Sequence, residues 1–514
     1  MRFSPLPRLI RFARCALVPC VVASVVACGE SPRLTDHGSA PDGGTGIDGA
    51  NGPSPGAGDA GDARDDGATR PEVEDREAAL GYVEVPPMQD GAARARIFFS
   101  FVPADDRDAN RPLLVVMNGG PAVATSAMLL PFGTGPATLV DGRGPVAVEN
   151  AARWTRFAAL LYVDSPETGF SYGVGPGAPA ERCSQPAEAE RHLLAVLDVL
   201  GKMPTGRTRR VIFVGAGYAG RRAILMRHLL ATPDEASSDA LKQAMAAHFA
   251  AAGGASGTSR RDLAVRQFGD VAFLQPTLVG QQRSIEQELI EADPILNGPS
   301  ADPDRSEYDV RKTNAWASAL VDQVAAAYAD PPTRGRLLRG SLASLDGFGA
   351  SARAAAVRVA PEAPFDVLVA SVDKALAPTF GALRSGDYYW TPEAPSCVLN
   401  TSVLMANRWF EAAMRAGGRM FMTNARYDAF VHTPAIVKFL ERADWAAVTV
   451  DREPRPGVAR PGWVRVSPSG SAPMEIRFPT YDAGHMVTVS AAAELAEDLA
   501  AWVAEGADER EPRN

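Results

Sequence analysis

The chain has 514 residues, 46% hydrophobic and 22% charged, which are the proportions of a soluble globular protein. Its formal charge is -9; without the four arginines of the first 28 residues, 48 basic against 61 acidic residues give -13. Such an acidic balance leaves no electrostatic footprint for nucleic acid, and no apolar run beyond the N-terminus is long enough to span a bilayer.

In chain order, Arg2, Arg8, Arg11 and Arg14 precede an apolar run over 16–27, the charged and hydrophobic regions of an export signal covering 1–28. It closes in Val25-Val26-Ala27-Cys28, which resembles a bacterial lipobox. That resemblance implies lipidation at Cys28 and, with Gly29 in place of an aspartate, an outer-membrane destination. Membrane attachment is then expected only through the lipid anchor. An ordinary secretory peptide containing a cysteine is the alternative. Cys15, Cys20 and Cys28 belong to this segment, which leaves Cys183 and Cys397 in a compartment that permits disulfides. A bridge and two buried free thiols both remain open.

Residues 29–75 read as a tether of Gly, Ala, Asp and Pro, with almost nothing apolar to bury. A first α/β core part is expected over 76–233. It opens with strands at 81–85 and 95–102, joined through Gln89-Asp90-Gly91. Buried strands follow at 112–117 and 158–163, then a helix over 189–200. From 234 to 395 alanine-rich helical stretches such as 317–329 alternate with polar loops, which predicts a helical cap insertion. A second core part is expected over 396–510, with strands near 420, 447, 463 and 474 and a closing helix over 491–503. Strands alternating with helices predict a central, mostly parallel sheet flanked by helices.

Residues 209–214 predict a strand, Gly215-Ala216-Gly217-Tyr218-Ala219-Gly220 a sharp turn, and 221–230 a helix. Strand, turn and helix make the elbow on which α/β-hydrolases expose a serine. Gly217 stands at its apex. Further blocks lie around it: Asn118-Gly119-Gly120-Pro121, Trp154-Thr155-Arg156-Phe157, Asp164-Ser165-Pro166, Thr168-Gly169-Phe170-Ser171-Tyr172, Asn424-Ala425-Arg426-Tyr427-Asp428 and Ala483-Gly484-His485-Met486. In this order they resemble the serine carboxypeptidase family, over about 80–505.

The resemblance implies an α/β-hydrolase fold and a set of site positions. Asp428 and His485 stand where the triad aspartate and histidine would be, and Gly217 where the nucleophile would be. Histidine removes the serine proton and aspartate orients the histidine; the Ser-Asp-His chain order is kept with its first member gone. The backbone N–H groups of Gly120 and Tyr218 would form the oxyanion hole. Asn118 and Gly119 would serve substrate binding, Asn118 at a peptide's terminal carboxylate. The chain also departs from the family at Ala216 and Gly133, where the two glutamates that help hold that carboxylate would be. Ala122, Val123 and Ala124 replace small and polar residues.

The expected function is therefore a serine carboxypeptidase-like protein that is catalytically inactive and binds a peptide or small acyl ligand in the former cleft. The alternative is an active serine-type carboxypeptidase or related hydrolase. Removing a catalytic serine costs on the order of 10⁶ in turnover in a well-studied protease.

Other patterns compete. Gly169-Phe170-Ser171-Tyr172-Gly173 fits G-x-S-x-G, but 174–179 is rich in Gly and Pro and starts no helix. Gly215, Gly217 and Gly220 spell a dinucleotide fingerprint, yet no second strand ending in an acid follows. His432 reads as a solvated loop histidine and Trp154 as a core residue. No Cys/His/Asp cluster has metal spacing, and neither metal nor cofactor is expected.

Overall fold

The structure is a computed structural model describing residues 73–87, 94–119, 124–139, 146–174, 185–251, 259–289, 324–338, 403–442, 447–451, 460–467 and 474–508, apart from a few positions within them. Cys28, Gly120, Cys183, Cys397 and most of the expected cap lie outside the described residues.

Among the described residues the strands are, in chain order, β1 (Ala79–Val85), β2 (Arg94–Val102), β3 (Leu113–Met117), β4 (Ala137–Leu139), β5 (Ala147–Glu149), β6 (Ala159–Val163), β7 (Tyr172–Val174), β8 (Val211–Ala216), β9 (Val271–Leu274), β10 (Met420–Met422), β11 (Asn424–Ala425), β12 (Ala447–Asp451), β13 (Trp463–Ser467), β14 (Met474–Arg477) and β15 (Thr480–Tyr481). Eleven form one sheet in the order β1-β2-β6-β3-β8-β9-β10-β14-β13-β12, with β7 beside β2. From β6 to β14 every pairing is parallel. The β1–β2 hairpin and the β12–β13–β14 run close the two sides in antiparallel fashion. With the elbow after β8, this is an α/β-hydrolase fold.

The parallel strands are unbroken apolar runs because helices cover both of their faces. Side chains alternate between two cores. Leu113, Val115 and Met117 of β3 join the helices Gln185–Lys202, Ala219–Ala231, Arg260–Phe268 and Val403–Arg415. Leu114 and Val116 face the closing helix Ala492–Asp508 through Leu495, Leu499 and Trp502. Each fully buried side chain of this size contributes about 1.5–3 kcal/mol. Trp154 is fully buried, as expected of a core residue.

Two boundaries differ from the sequence expectation. The sheet does not pause at 233. β9 lies between β8 and β10, and the helices Asp239–Ala251 and Arg260–Phe268 pack into the same core. Val271–Leu274 is only four residues, buried on both faces, so it shows no alternation to mark it as a strand. At the other end, packed chain begins before 76. Val73 N–H donates to Lys202 O, and the buried Asp75 carboxylate accepts from Thr205 N and Oγ1 at 2.9 Å each.

The chain runs from β3 to β6 on one side and then crosses to β8 on the other. Outside the carboxyl ends of strands, at such a reversal, open α/β sheets bind their ligands. Asn118 follows β3, Gly217 follows β8, and the loops after β9, β10 and β14 open at the same edge.

Candidate active site

The elbow is built by backbone contacts. Gly217 has φ +53, the left-handed region that glycine enters without a Cβ penalty. Its N–H donates to Leu274 O at 2.9 Å, and its carbonyl accepts from Gly220 N at 3.1 Å and Thr277 N at 2.9 Å. The turn is thus tied to the end of β9 and to the helix Ala219–Ala231. Gly119 lies directly against it: a Cβ there would stand 2.5 Å from both Ala216 O and Tyr218 N. Asn118 is buried, its N–H donating to Thr125 Oγ1 at 2.9 Å and its carbonyl accepting from Arg222 Nη1 at 3.1 Å. Arg222 pairs with Glu188, which also accepts from the Tyr218 hydroxyl at 3.2 Å. Burial, and then the Glu188 charge, hold that phenol well above its ordinary value.

Asp428 and His485 are brought together by two short strands. β11 and β15 pair in parallel, with Asn424 N–H donating to Pro479 O and Arg426 N–H to Tyr481 O, both at 3.0 Å. The loops that leave this pairing set His485 Nδ1 2.9 Å from Asp428 Oδ2. Asp428 is fully buried, whereas the His485 side chain keeps 13% of its exposure. Burial pushes the Asp428 carboxyl up. The charge and hydrogen bond of His485, the Val431 N–H and the Gln275 amide outweigh it, so the net displacement is downward.

Nε2, on the other side of the imidazole, faces the elbow. A Cβ on Gly217 would lie 3.8 Å from His485 Nε2 and 3.9 Å from Cε1, ordinary contact distances. Gly217, Asp428 and His485 therefore converge, though 268 residues of chain separate the first from the last. Tyr218 and Gly119 lie in the same turn region; Gly120 lies outside the described residues.

Two features were not read from the sequence. Gly133 has φ +80, and a Cβ there would run into the carbonyl of Thr488, in the short helix Val487–Ser490 that follows His485. No side chain fits at Gly133 without moving that helix. Gln275 is a non-glycine residue at φ +46, fully buried, and its side chain donates to Asp428 Oδ2 at 2.9 Å. Nothing in a lone glutamine signals this role; only its place at the end of β9, beside the elbow, would have drawn notice.

The competing patterns resolve on geometry. Ser171 Oγ is buried and accepts from Phe98 N at 2.9 Å, a structural bond within the sheet. Among the described residues no strand lies between the elbow helix and β9, so the dinucleotide pattern lacks its second unit there. His432, expected in solvent, is buried; its carbonyl accepts from Ala435 N at 3.0 Å, where the helix Pro434–Arg442 begins. Asp164 is buried and accepts from Ser126 N and Oγ at 2.7 Å each and from Phe170 N at 3.0 Å. Burial outweighs these bonds and pushes its carboxyl up to about 6.

Residues 69–237 match the profile of the serine carboxypeptidase family. That segment holds the Asn118–Gly119 turn and the elbow; Asp428 and His485 lie beyond it. Serine carboxypeptidase-like 44 of Arabidopsis thaliana is 30% identical over 158 residues, 29% of this chain and 30% of that protein. Serine carboxypeptidase-like 17 of the same plant is 31% identical over 105 residues, 20% of this chain and 23% of that one. The matches thus span about a third or less of the curated relatives' length. Among solved structures, a prohormone-processing carboxypeptidase from Saccharomyces cerevisiae covers 84% of this chain and 91% of its own, at 12% identity and a TM-score of 0.46.

Proposed function

From the premise that this chain is serine carboxypeptidase-like over residues 69–237, we propose that it is a family member without acyl-enzyme chemistry, which binds a peptide or small acyl ligand in the former catalytic cleft. One observation carries the reading. The apex of the elbow faces His485 Nε2 at contact distance, the imidazole is paired with a buried carboxylate, and the apex residue is a glycine. An acyl-enzyme needs a hydroxyl or thiol at that point.

Gly133 supports the reading from a second side. The resemblance puts one of two carboxylate-binding glutamates at this position, but here the backbone packs too closely on Thr488 for any side chain. With Ala216 at the other, recognition of a substrate's terminal carboxylate is lost together with the nucleophile. What remains beside Gly217 is room for a side chain facing His485 Nε2, at the sheet edge where ligands bind. Native mass spectrometry of protein purified from its host, compared with a Gly217→Trp variant that fills the space, tests the binding. A ligand retained by both proteins, or by neither, defeats it.

The partial exposure of the His485 side chain, 13%, favours a second reading, in which the pair activates water directly and hydrolyses an acyl substrate without a covalent intermediate. Turnover of activated esters that disappears in His485→Gln would establish it; equal rates in both proteins would dismiss it. We further propose export and outer-membrane anchoring through lipidated Cys28, on the Arg-rich start and the Val25-Val26-Ala27-Cys28 segment. Unchanged fractionation of a Cys28→Ser protein would contradict the anchor.

A further inference from the structure

We propose that Gln275 is the positioning residue of the Asp428–His485 pair, fixing the rotamer of the carboxylate and sharing with the imidazole the oxygen on which it rests. The inference rests on the reading of that pair as the retained part of the former site.

Gln275 directly follows β9, in a conformation that a side-chain-bearing residue adopts at a cost of about 1–3 kcal/mol, with φ +46 and no exposed surface. Its bonds offset that cost. The backbone N–H donates to Thr423 Oγ1 at 2.9 Å. The carboxamide oxygen accepts from Thr423 Oγ1 at 3.0 Å and from Ala425 N at 2.8 Å. The carboxamide nitrogen donates to Asp428 Oδ2 at 2.9 Å and to Val431 O at 3.1 Å. Two donors and two acceptor sites are all an amide offers, and all four are used. The orientation of the amide is therefore unique: turned over, it would face two acceptors with its oxygen and two donors with its nitrogen.

The geometry has a chemical consequence. Asp428 Oδ2 receives both the Gln275 amide and the His485 Nδ1 bond, while Oδ1 receives Val431 N–H at 3.0 Å. Gln275 thus takes up part of the charge that the imidazole would otherwise meet alone. Without that donor, Asp428 is a stronger acceptor and holds the protonated imidazole more firmly. The left-handed backbone is what lets one residue reach back across the end of β10 to the Asp428 loop.

The test is an NMR titration of the full folded chain carrying ring-¹⁵N histidine, with His485 assigned by its loss in His485→Gln. The parent protein should show a low-field Nδ1–H resonance for His485. In Gln275→Leu, His485 should titrate about one unit higher, while the other histidines stay in place. Gln275→Met keeps the length of the side chain but lacks the donor, and it serves where the leucine variant does not fold; it should move His485 in the same direction. A residue that merely fills space would lower stability and leave the titration where it was. An unmoved or lowered His485 value overturns the proposal. A parent protein with no low-field resonance overturns the paired site itself, and the proposal with it.

Discussion

Serine at position 217 is the perturbation that bears most directly on the proposed absence of acyl-enzyme chemistry. In Gly217→Ser the new Cβ stands 3.8 Å from His485 Nε2, with the elbow backbone leaving the position open. One bond further out, the hydroxyl reaches the imidazole at about 2.6–3.2 Å, the range of a nucleophile–base hydrogen bond. The cost is conformational: φ +53 is left-handed backbone, worth about 1–2 kcal/mol against a residue with a side chain. The variant should therefore fold, slightly destabilised. Incubated with a fluorophosphonate and analysed by peptide mass spectrometry, the parent protein should carry no label on any serine. Gly217→Ser should be labelled at residue 217, and Gly217→Ser/His485→Ala should not. Labelling of the parent would show another reactive serine and refute the inactive reading. A folded but unlabelled Gly217→Ser would refute the claim that the pair still faces the elbow productively.

Three further outcomes are expected. Gly133→Ala combines φ +80 with a collision against the Thr488 carbonyl and should lose at least about 2 kcal/mol in urea unfolding; a variant as stable as the parent refutes the close packing. Asp428 is held below its ordinary 3.8, so its contribution is present above that value and lost as pH falls through the folded one. Asp428→Asn should cost about 3 kcal/mol near neutrality and flatten the acid limb of stability; identical limbs in the two proteins contradict this. Asp164 is displaced the other way, from 3.8 to about 6. Its contribution is fully present below 3.8 and is lost as pH rises through about 6, roughly 3 kcal/mol in all. Denaturation curves of Asp164→Asn across that window should lack the slope, and a retained slope assigns it elsewhere.

Much of this architecture was legible because it rests on local patterns. The buried runs of β3, β6 and β8 announce parallel strands, and the glycines of 215–220 announce a tight turn between strand and helix. Asp428 and His485 were legible by order and block resemblance, and the β11–β15 pairing supplies the physical reason they meet. β9 escaped because four apolar residues among helices have no period to display. The packing of Gly133, whose identity the sequence did flag, and the role of Gln275 escaped for another reason: what matters there is a backbone angle and a neighbour 355 and 153 residues away, at Thr488 and Asp428. Neither is written in the adjacent sequence. The solvated reading of His432 fails because the residue sits between buried neighbours, Val431 and Thr433, with the helix Pro434–Arg442 starting directly behind it.

The close meeting of Gly119 with Ala216 and Tyr218 separates architecture from reactivity. Main chain presses on main chain there, so the bend keeps its form whatever group projects from its tip. A substitution at the tip can silence or arm such a molecule in one step, without an intervening misfolded ancestor. Scaffolds joined in this way are free to exchange a chemical task for a recognition task, because the parts that shape the bend are not the parts that react.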